Sequence, residues 1–170
     1  MQEVANHLLE IIEKFLPVLE KISDKEASIK PLPNKWSKKE LIGHLIDSAC
    51  NNQQKIVRTI NNPNLQMVGY MQDEWVYVQN YNKAKWVDLL SLWAFYNKHI
   101  AHVIANVNPL YLNHEMSIEG SSPFKLSFIM QDYPEHLKHH LKQILPDVLG
   151  LENTFNNVYG AWFMAKFNSF

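Results

Sequence analysis

The stretch "LSFIMQDYPEHLKHHLKQI" (residues 126–144) decides the fold of this 170-residue chain. One set of its residues recurs at intervals of four and three: Leu126, Met130, Tyr133, Leu137, His140 and Ile144. This spacing is typical of the buried stripe of an α-helix, in which each residue advances by about 100°. The stretch is therefore predicted to form a long helix with a histidine on its buried face.

Three other segments show the same helical periodicity, and prolines or polar links separate them. The predicted helices cover about residues 3–22, 37–61, 83–107 and 123–146. Four helices of about 20 residues predict an all-α fold, with a four-helix bundle as its simplest form. The long link between the second and third helices, near residues 62–81, permits a crossover between them.

Local signals fix several of the helix ends. "SKKE" at Ser37 is a capping box and predicts the start of the second helix. Pro123 is a favourable first residue for the fourth helix. Pro17 is expected to kink or split the first helix, and Pro134 is expected to bend the fourth near Met130.

The bundle is predicted to occupy residues 1–146, followed by a C-terminal extension at residues 147–170. The extension is strongly aromatic and contains Phe155, Tyr159, Trp162, Phe163, Phe167 and Phe170. Two interpretations stay open for this tail. It forms a short fifth helix that completes the core, or it covers a pocket mouth or pairs two subunits, in which case a homodimer is expected.

Composition excludes several classes of function. Sixteen Lys and Arg residues balance seventeen Asp and Glu residues, which gives no support for nucleic-acid binding. The apolar runs are short and broken by charges, so no membrane-spanning segment is predicted. Cys50 is the only cysteine, so no intramolecular disulfide is possible, and we expect a reducing, cytoplasmic location.

The fourth predicted helix contains three histidines within a span of five residues. His136 precedes His140 by one turn and lies about 40° from it around the axis, whereas His139 lies about 100° away on the solvent side. Two imidazoles at i and i+4 can bind one metal ion. Such a pair is more often a surface or core feature, and a zinc site needs three or four donors.

The best third donor is His44, in "ELIGHLIDSA" (residues 40–49), at the edge of the apolar stripe of the second helix. Gly43 and Ser48 are small and leave room around it. Asp47 and Asn51 continue the same edge, where they are candidate acceptors for an imidazole N–H. A metal site shared by the second and fourth helices is the hypothesis that these positions support.

Two motifs together carry a family resemblance: "KWSKKELIGHLIDSACNNQQKIV" (residues 35–57) and "DYPEHLKHHLKQIL" (residues 132–145). In combination they resemble the DinB-like superfamily, which includes bacillithiol transferases and mycothiol-dependent maleylpyruvate isomerases. The resemblance covers about residues 1–145. It implies a four-helix bundle that holds one divalent metal ion, zinc or nickel, through His44, His136 and His140.

The resemblance also extends to a pocket wall, made of "DEWVYVQNY" (residues 73–81) followed by Trp86, Leu89, Trp93 and Asn97. Asn97 is equally well explained as a core residue bonded to the backbone. The implied activity is a thiol S-transferase that joins a low-molecular-weight thiol to a small electrophile. Metal-dependent hydrolysis and non-catalytic metal or ligand binding stay open as alternatives. An acid such as Glu152 filling the fourth coordination position would favour the non-catalytic alternative. Glu135, near the bend of the fourth helix, is expected to be solvated.

Overall fold

The computed structural model describes residues 1–155, and long helices form most of it. The helices are α1 (Gln2–Leu19), α2 (Asp24–Ala27), α3 (Lys38–Asn61), α4 (Gln72–Gln79), α5 (Trp86–Ala105) and α6 (Leu126–Ile144). The long helices α1, α3, α5 and α6 form the bundle, which confirms the predicted fold class. The two short helices lie in the connections.

The four long helices form a ring in which neighbours along the chain are not always neighbours in space. Both α1 and α3 pack against α5 and against α6. Consequently α1 lies diagonally across the bundle from α3, and α5 lies diagonally from α6. The connections that cross the bundle are therefore α1 to α3 and α5 to α6. The link after α3, for which the sequence permitted a crossover, joins two adjacent helices instead.

The capping box predicted at Ser37 is present. The Ser37 side chain accepts from the Glu40 backbone N–H at 3.2 Å, and the Glu40 carboxylate accepts from the Ser37 backbone N–H at 2.8 Å. These two bonds satisfy donors that the first turn of α3 would otherwise leave unpaired. Pro17 stands two residues before the end of α1, and α6 runs through Pro134 as one helix.

A small sheet was not predicted. Its strands are β1 (Asn64–Met67), β2 (Glu115–Ile118) and β3 (Phe124–Lys125), with β1 parallel to β2 and β2 antiparallel to β3. The sheet ties the link after α3 to the link after α5. The fourth helix was predicted to begin near Pro123; α6 begins three residues later, at Leu126, directly after β3.

The segment that follows α6 covers one face of that helix. Glu135 is 1% exposed, so the expectation of a solvated charge was wrong. Its carboxylate pairs with Lys138 Nζ at 2.9 Å and accepts from the backbone N–H groups of Thr154 and Phe155 at 3.2 Å. Phe155 packs edge-on against the ring of His7 on α1. The other aromatic residues of the predicted extension, from Tyr159 onward, lie outside the described residues.

Among residues 1–155, no helix combines the length and the apolar character needed to cross a membrane.

Candidate metal centre

His44, His136 and His140 meet in the interior of the bundle. Each offers one ring nitrogen, and these three nitrogens lie within 4.8 Å of one another. The ring centroids are 5.4 Å apart for His44 and His136, and 4.6 Å apart for each pair that includes His140. All three residues are at most 8% exposed. The structure thus brings together the three residues that the sequence singled out.

The helices explain this convergence. His44 lies on the buried face of α3, and His136 and His140 occupy successive turns of α6, which is adjacent to α3. His139 is exposed, as the helical wheel predicted, and its Nε2 lies 3.1 Å from the side chain of Gln143. The face assignment within the histidine cluster therefore agrees with the structure.

Two polar side chains contact the Nδ1 atoms of the α6 histidines. Ser48 Oγ lies 3.1 Å from His136 Nδ1, and Gln143 Oε1 lies 3.4 Å from His140 Nδ1. Within the described residues, His140 Nε2 and both ring nitrogens of His44 have no hydrogen-bond partner. Buried polar atoms are ordinarily satisfied, so these nitrogens need a partner that residues 1–155 do not supply.

Burial keeps the three imidazoles neutral. It lowers the pKa of His44 to about 4. It lowers the pKa of His140 to about 3, and the neighbouring histidines His44 and His139 add to the effect. The pKa of His136 lies well below its ordinary value, again mainly because of burial. At neutral pH the rings therefore have the unprotonated nitrogens that a metal ligand requires.

The donor set fits one divalent metal ion. Three neutral imidazoles are a common catalytic zinc set, and their separation allows one ion to contact all three after small side-chain adjustments. No carboxylate or cysteine joins the histidine group in the described part of the chain. Glu152 is exposed, and its carboxylate accepts from the Gly150 backbone N–H at 3.3 Å. The described residues thus leave coordination positions open.

Asp47 and Asn51 follow His44 on α3 and have hydrogen-bond partners of their own. Asp47 Oδ1 accepts from Tyr81 Oη at 2.6 Å and from Gln79 Nε2 at 2.7 Å. Asn51 donates its amide to the Asp47 carbonyl at 2.9 Å. Since no side chain or backbone group of the described residues forms a hydrogen bond with either ring nitrogen of His44, Asp47 does not orient that ring.

Asn97 and Trp93 lie in the core of the bundle. Asn97 donates to the Trp93 carbonyl at 2.8 Å and accepts from Tyr133 Oη at 2.6 Å. Both residues are fully buried. These bonds are those of a structural asparagine that links α5 to α6.

Sequence reasoning missed several neighbours of the site. The ring of Trp36 lies 5.0 Å from that of His44 and covers it. Gln143 lies three residues after His140, about one helical turn. This spacing was the only sequence signal for the contact between the two side chains. Residues 73–81, in the link after α3, were expected in the pocket wall, but the bonds of Tyr81 and Gln79 to Asp47 were not predicted, because helical periodicity does not fix the path of this link.

Comparison with known proteins supports this description. A family model of the DinB superfamily matches residues 7–144. Among solved structures, the chain is similar to YfiT from Bacillus subtilis, with a TM-score of 0.77 and 15% sequence identity, over 85% of this chain and 83% of that one. YfiT is described as a probable metal-dependent hydrolase with an unusual four-helix bundle topology. No curated protein matches the chain in sequence.

The family match covers nearly the whole bundle and includes all three histidines of the site. The chain therefore belongs to the DinB superfamily.

Proposed function

We propose that this protein is a metal-dependent enzyme that joins a low-molecular-weight thiol, through its sulfur, to a small electrophile. The observation that carries the proposal is the group of three buried, neutral imidazoles with open coordination positions. An open position distinguishes a catalytic site from a closed structural one. The proposed cofactor is one divalent ion, zinc or nickel, since imidazole suits both.

A bound ion of this kind supplies Lewis acidity, which lowers the pKa of a coordinating thiol or water. The chain provides the surroundings for that chemistry. Ser48 and Gln143 contact the Nδ1 atoms of His136 and His140, and contacts of this kind fix the orientation of a histidine ring. Trp36 and the apolar core exclude water from the ligands.

Hydrolysis is the second candidate, and the description of YfiT as a probable metal-dependent hydrolase favours it. Hydrolytic sites that use two histidines at i and i+4 commonly have a glutamate directly after the first histidine as a general base. Here Leu137 follows His136 and is fully buried. A thiol has a much lower pKa than water and needs less help to lose its proton, so the donor set suits thiol transfer better.

The test compares both reactions in one preparation. Metal-loaded wild-type protein is assayed for conjugation of cysteine to a chlorodinitrobenzene and for hydrolysis of a nitrophenyl ester. We expect metal-dependent conjugation that exceeds the hydrolysis. H140A should lose this activity together with its metal, whereas the neighbouring H139A should retain both.

Hydrolysis without conjugation would overturn thiol transfer in favour of the second candidate. Stoichiometric metal with turnover of neither probe would favour a non-catalytic binding protein.

A further inference from the structure

The carboxylate of Asp47 lies one turn after His44 on α3, and only one of its two oxygens is satisfied. Asp47 is 3% exposed. Oδ1 accepts two short hydrogen bonds, from Tyr81 Oη and from Gln79 Nε2. Oδ2 is buried and has no hydrogen-bond partner among the described residues. This oxygen is therefore an acceptor that the rest of the described chain leaves unused.

No basic side chain of the described residues forms an ion pair with Asp47. The ion pairs among residues 1–155 all involve other acidic side chains. A buried carboxylate without a cation is costly and is ordinarily paired. Burial accordingly raises the pKa of Asp47, while the hydrogen bonds from Tyr81 and Gln79 act in the opposite direction. A cation at Oδ2 would compensate the buried negative charge.

The surroundings of Asp47 are suited to a small cation. The Tyr81 ring packs directly on Gly43, where a Cβ atom would overlap it, so the phenol is held in place over α3. Tyr70 is half-buried. Burial is the main cause that raises its pKa, and the charges of Asp47 and Cys50 raise it further. Aromatic rings beside a carboxylate are typical of sites that bind ammonium groups.

The helical spacing of Asp47 places it one turn from one of the three histidines, His44. Side chains at positions i and i+3 of a helix have Cβ atoms about 5–6 Å apart. His44 and Asp47 have this relationship on α3. A molecule with two or three carbons between two functional groups can therefore place one group at the histidines and the other at Asp47.

We propose that Asp47 binds the ammonium group of the substrate thiol through Oδ2, so that the substrate class is the aminothiols. This inference rests on the thiol-transfer function proposed above. It assigns Asp47 to substrate binding, with Tyr81 and Gln79 as the residues that hold its other oxygen. A thiol without a cationic group would bind the same site more weakly.

The test uses two thiols of equal length that differ in one group. Cysteamine carries an ammonium where mercaptoethanol carries a hydroxyl. Their affinities for metal-loaded protein are measured by titration calorimetry in the wild type, in D47N and in D73N. D47N keeps a side-chain oxygen for Tyr81 and Gln79, and D73N removes an exposed carboxylate of α4 as the matched control.

We expect the wild type and D73N to prefer cysteamine by about tenfold, which corresponds to about 1.4 kcal/mol. D47N should bind both thiols about equally while its melting temperature stays close to that of the wild type. An unchanged preference for cysteamine in D47N would overturn the proposal. So would equal binding of the two thiols by the wild type.

A second measurement separates this inference from the proposed function. Ethylammonium and ethanol are titrated into metal-free protein while the carbon-13 resonance of the Asp47 carboxyl is followed. A saturable shift with ethylammonium but not with ethanol supports the ammonium site. This holds even if no thiol binds the metal-loaded protein, because the absence of thiol binding would contradict thiol transfer and not the ammonium site. No shift with ethylammonium overturns the assignment of Asp47.

Discussion

Ser48 and His136 are 88 residues apart in the sequence, and Ser48 Oγ lies 3.1 Å from His136 Nδ1 in the buried centre of the bundle. The contact joins α3 to α6, the two helices that supply the three histidines. A hydrogen bond to the outer nitrogen of a metal-binding histidine fixes the orientation of the ring and its tautomer. Ser48 thus restrains the ring of His136 within the group of three histidines.

We predict that S48A lowers metal affinity by about tenfold to a hundredfold without abolishing binding, because all three imidazoles stay in place. Competition with a chromogenic chelator measures the affinity. S91A removes an exposed serine hydroxyl of α5 and should leave the affinity unchanged. Equal affinities for S48A and wild type would show that the Ser48 contact does not orient the ligand.

We predict that replacing any one of His44, His136 or His140 by alanine abolishes stoichiometric metal binding, because two imidazoles are too few for a firm divalent site. H139A removes an exposed histidine from the same helix and should keep about one ion per chain. Metal content after dialysis, measured by mass spectrometry, distinguishes these results. Loss of metal in H139A to the same extent as in H136A would contradict the assignment of His136 and His140 as the pair of ligands on α6.

The helices and the histidine trio were predictable because their signals are local. Periodicity of the apolar residues gives each helix, and the four-residue spacing of His136 and His140 places both on one face. The edge position of His44 followed from the same rule. The family resemblance then joined the two separate helices into one site.

Features that depend on distant segments were not predictable. The strands β1 and β2 have four residues each and are held by pairing between two links, so alternation within either strand is too short to detect. Glu135 resembles a surface charge on its own helix, and the segment that follows α6 contributes to its burial through the backbone N–H groups of Thr154 and Phe155. The partners of Asp47 likewise come from a link whose path depends on tertiary packing.

As the pH falls, the metal-free protein should lose stability at pH values above those at which most carboxylates become protonated. The pKa of His44 is about 4 in the folded protein and 6.5 when unperturbed, so the unfolded chain takes up the proton first. The stability that this group contributes is complete above pH 6.5 and is lost as pH falls toward 4. Between these values the loss is about 1.4 kcal/mol per pH unit for one such group.

Urea unfolding of metal-free protein at a series of pH values between 6.5 and 4 measures this effect. H44A should show a shallower dependence than the wild type, whereas H139A should lose stability almost as steeply as the wild type. Parallel curves for H44A and wild type would contradict neutral burial of His44.

The ion pair between Glu135 and Lys138 is expected to stabilise the packing of the C-terminal segment on α6. Both side chains are at most 1% exposed, and Lys138 Nζ also donates to the Glu152 carbonyl at 2.8 Å and to Thr154 Oγ1 at 2.9 Å. Removing one member of a buried pair leaves an uncompensated charge, which costs about 3–5 kcal/mol. We predict a loss of this size for E135A or K138A, measured by urea unfolding.

Two further variants separate the ion pair from general effects of substitution. K142A removes an exposed lysine of the same helix and should change the stability by less than about 0.5 kcal/mol. The double variant E135L/K138M removes both charges at once and should cost less than either single alanine variant, because no buried charge is left unpaired. A single alanine variant as stable as K142A would mean that the segment around Thr154 does not keep this pair out of water in solution.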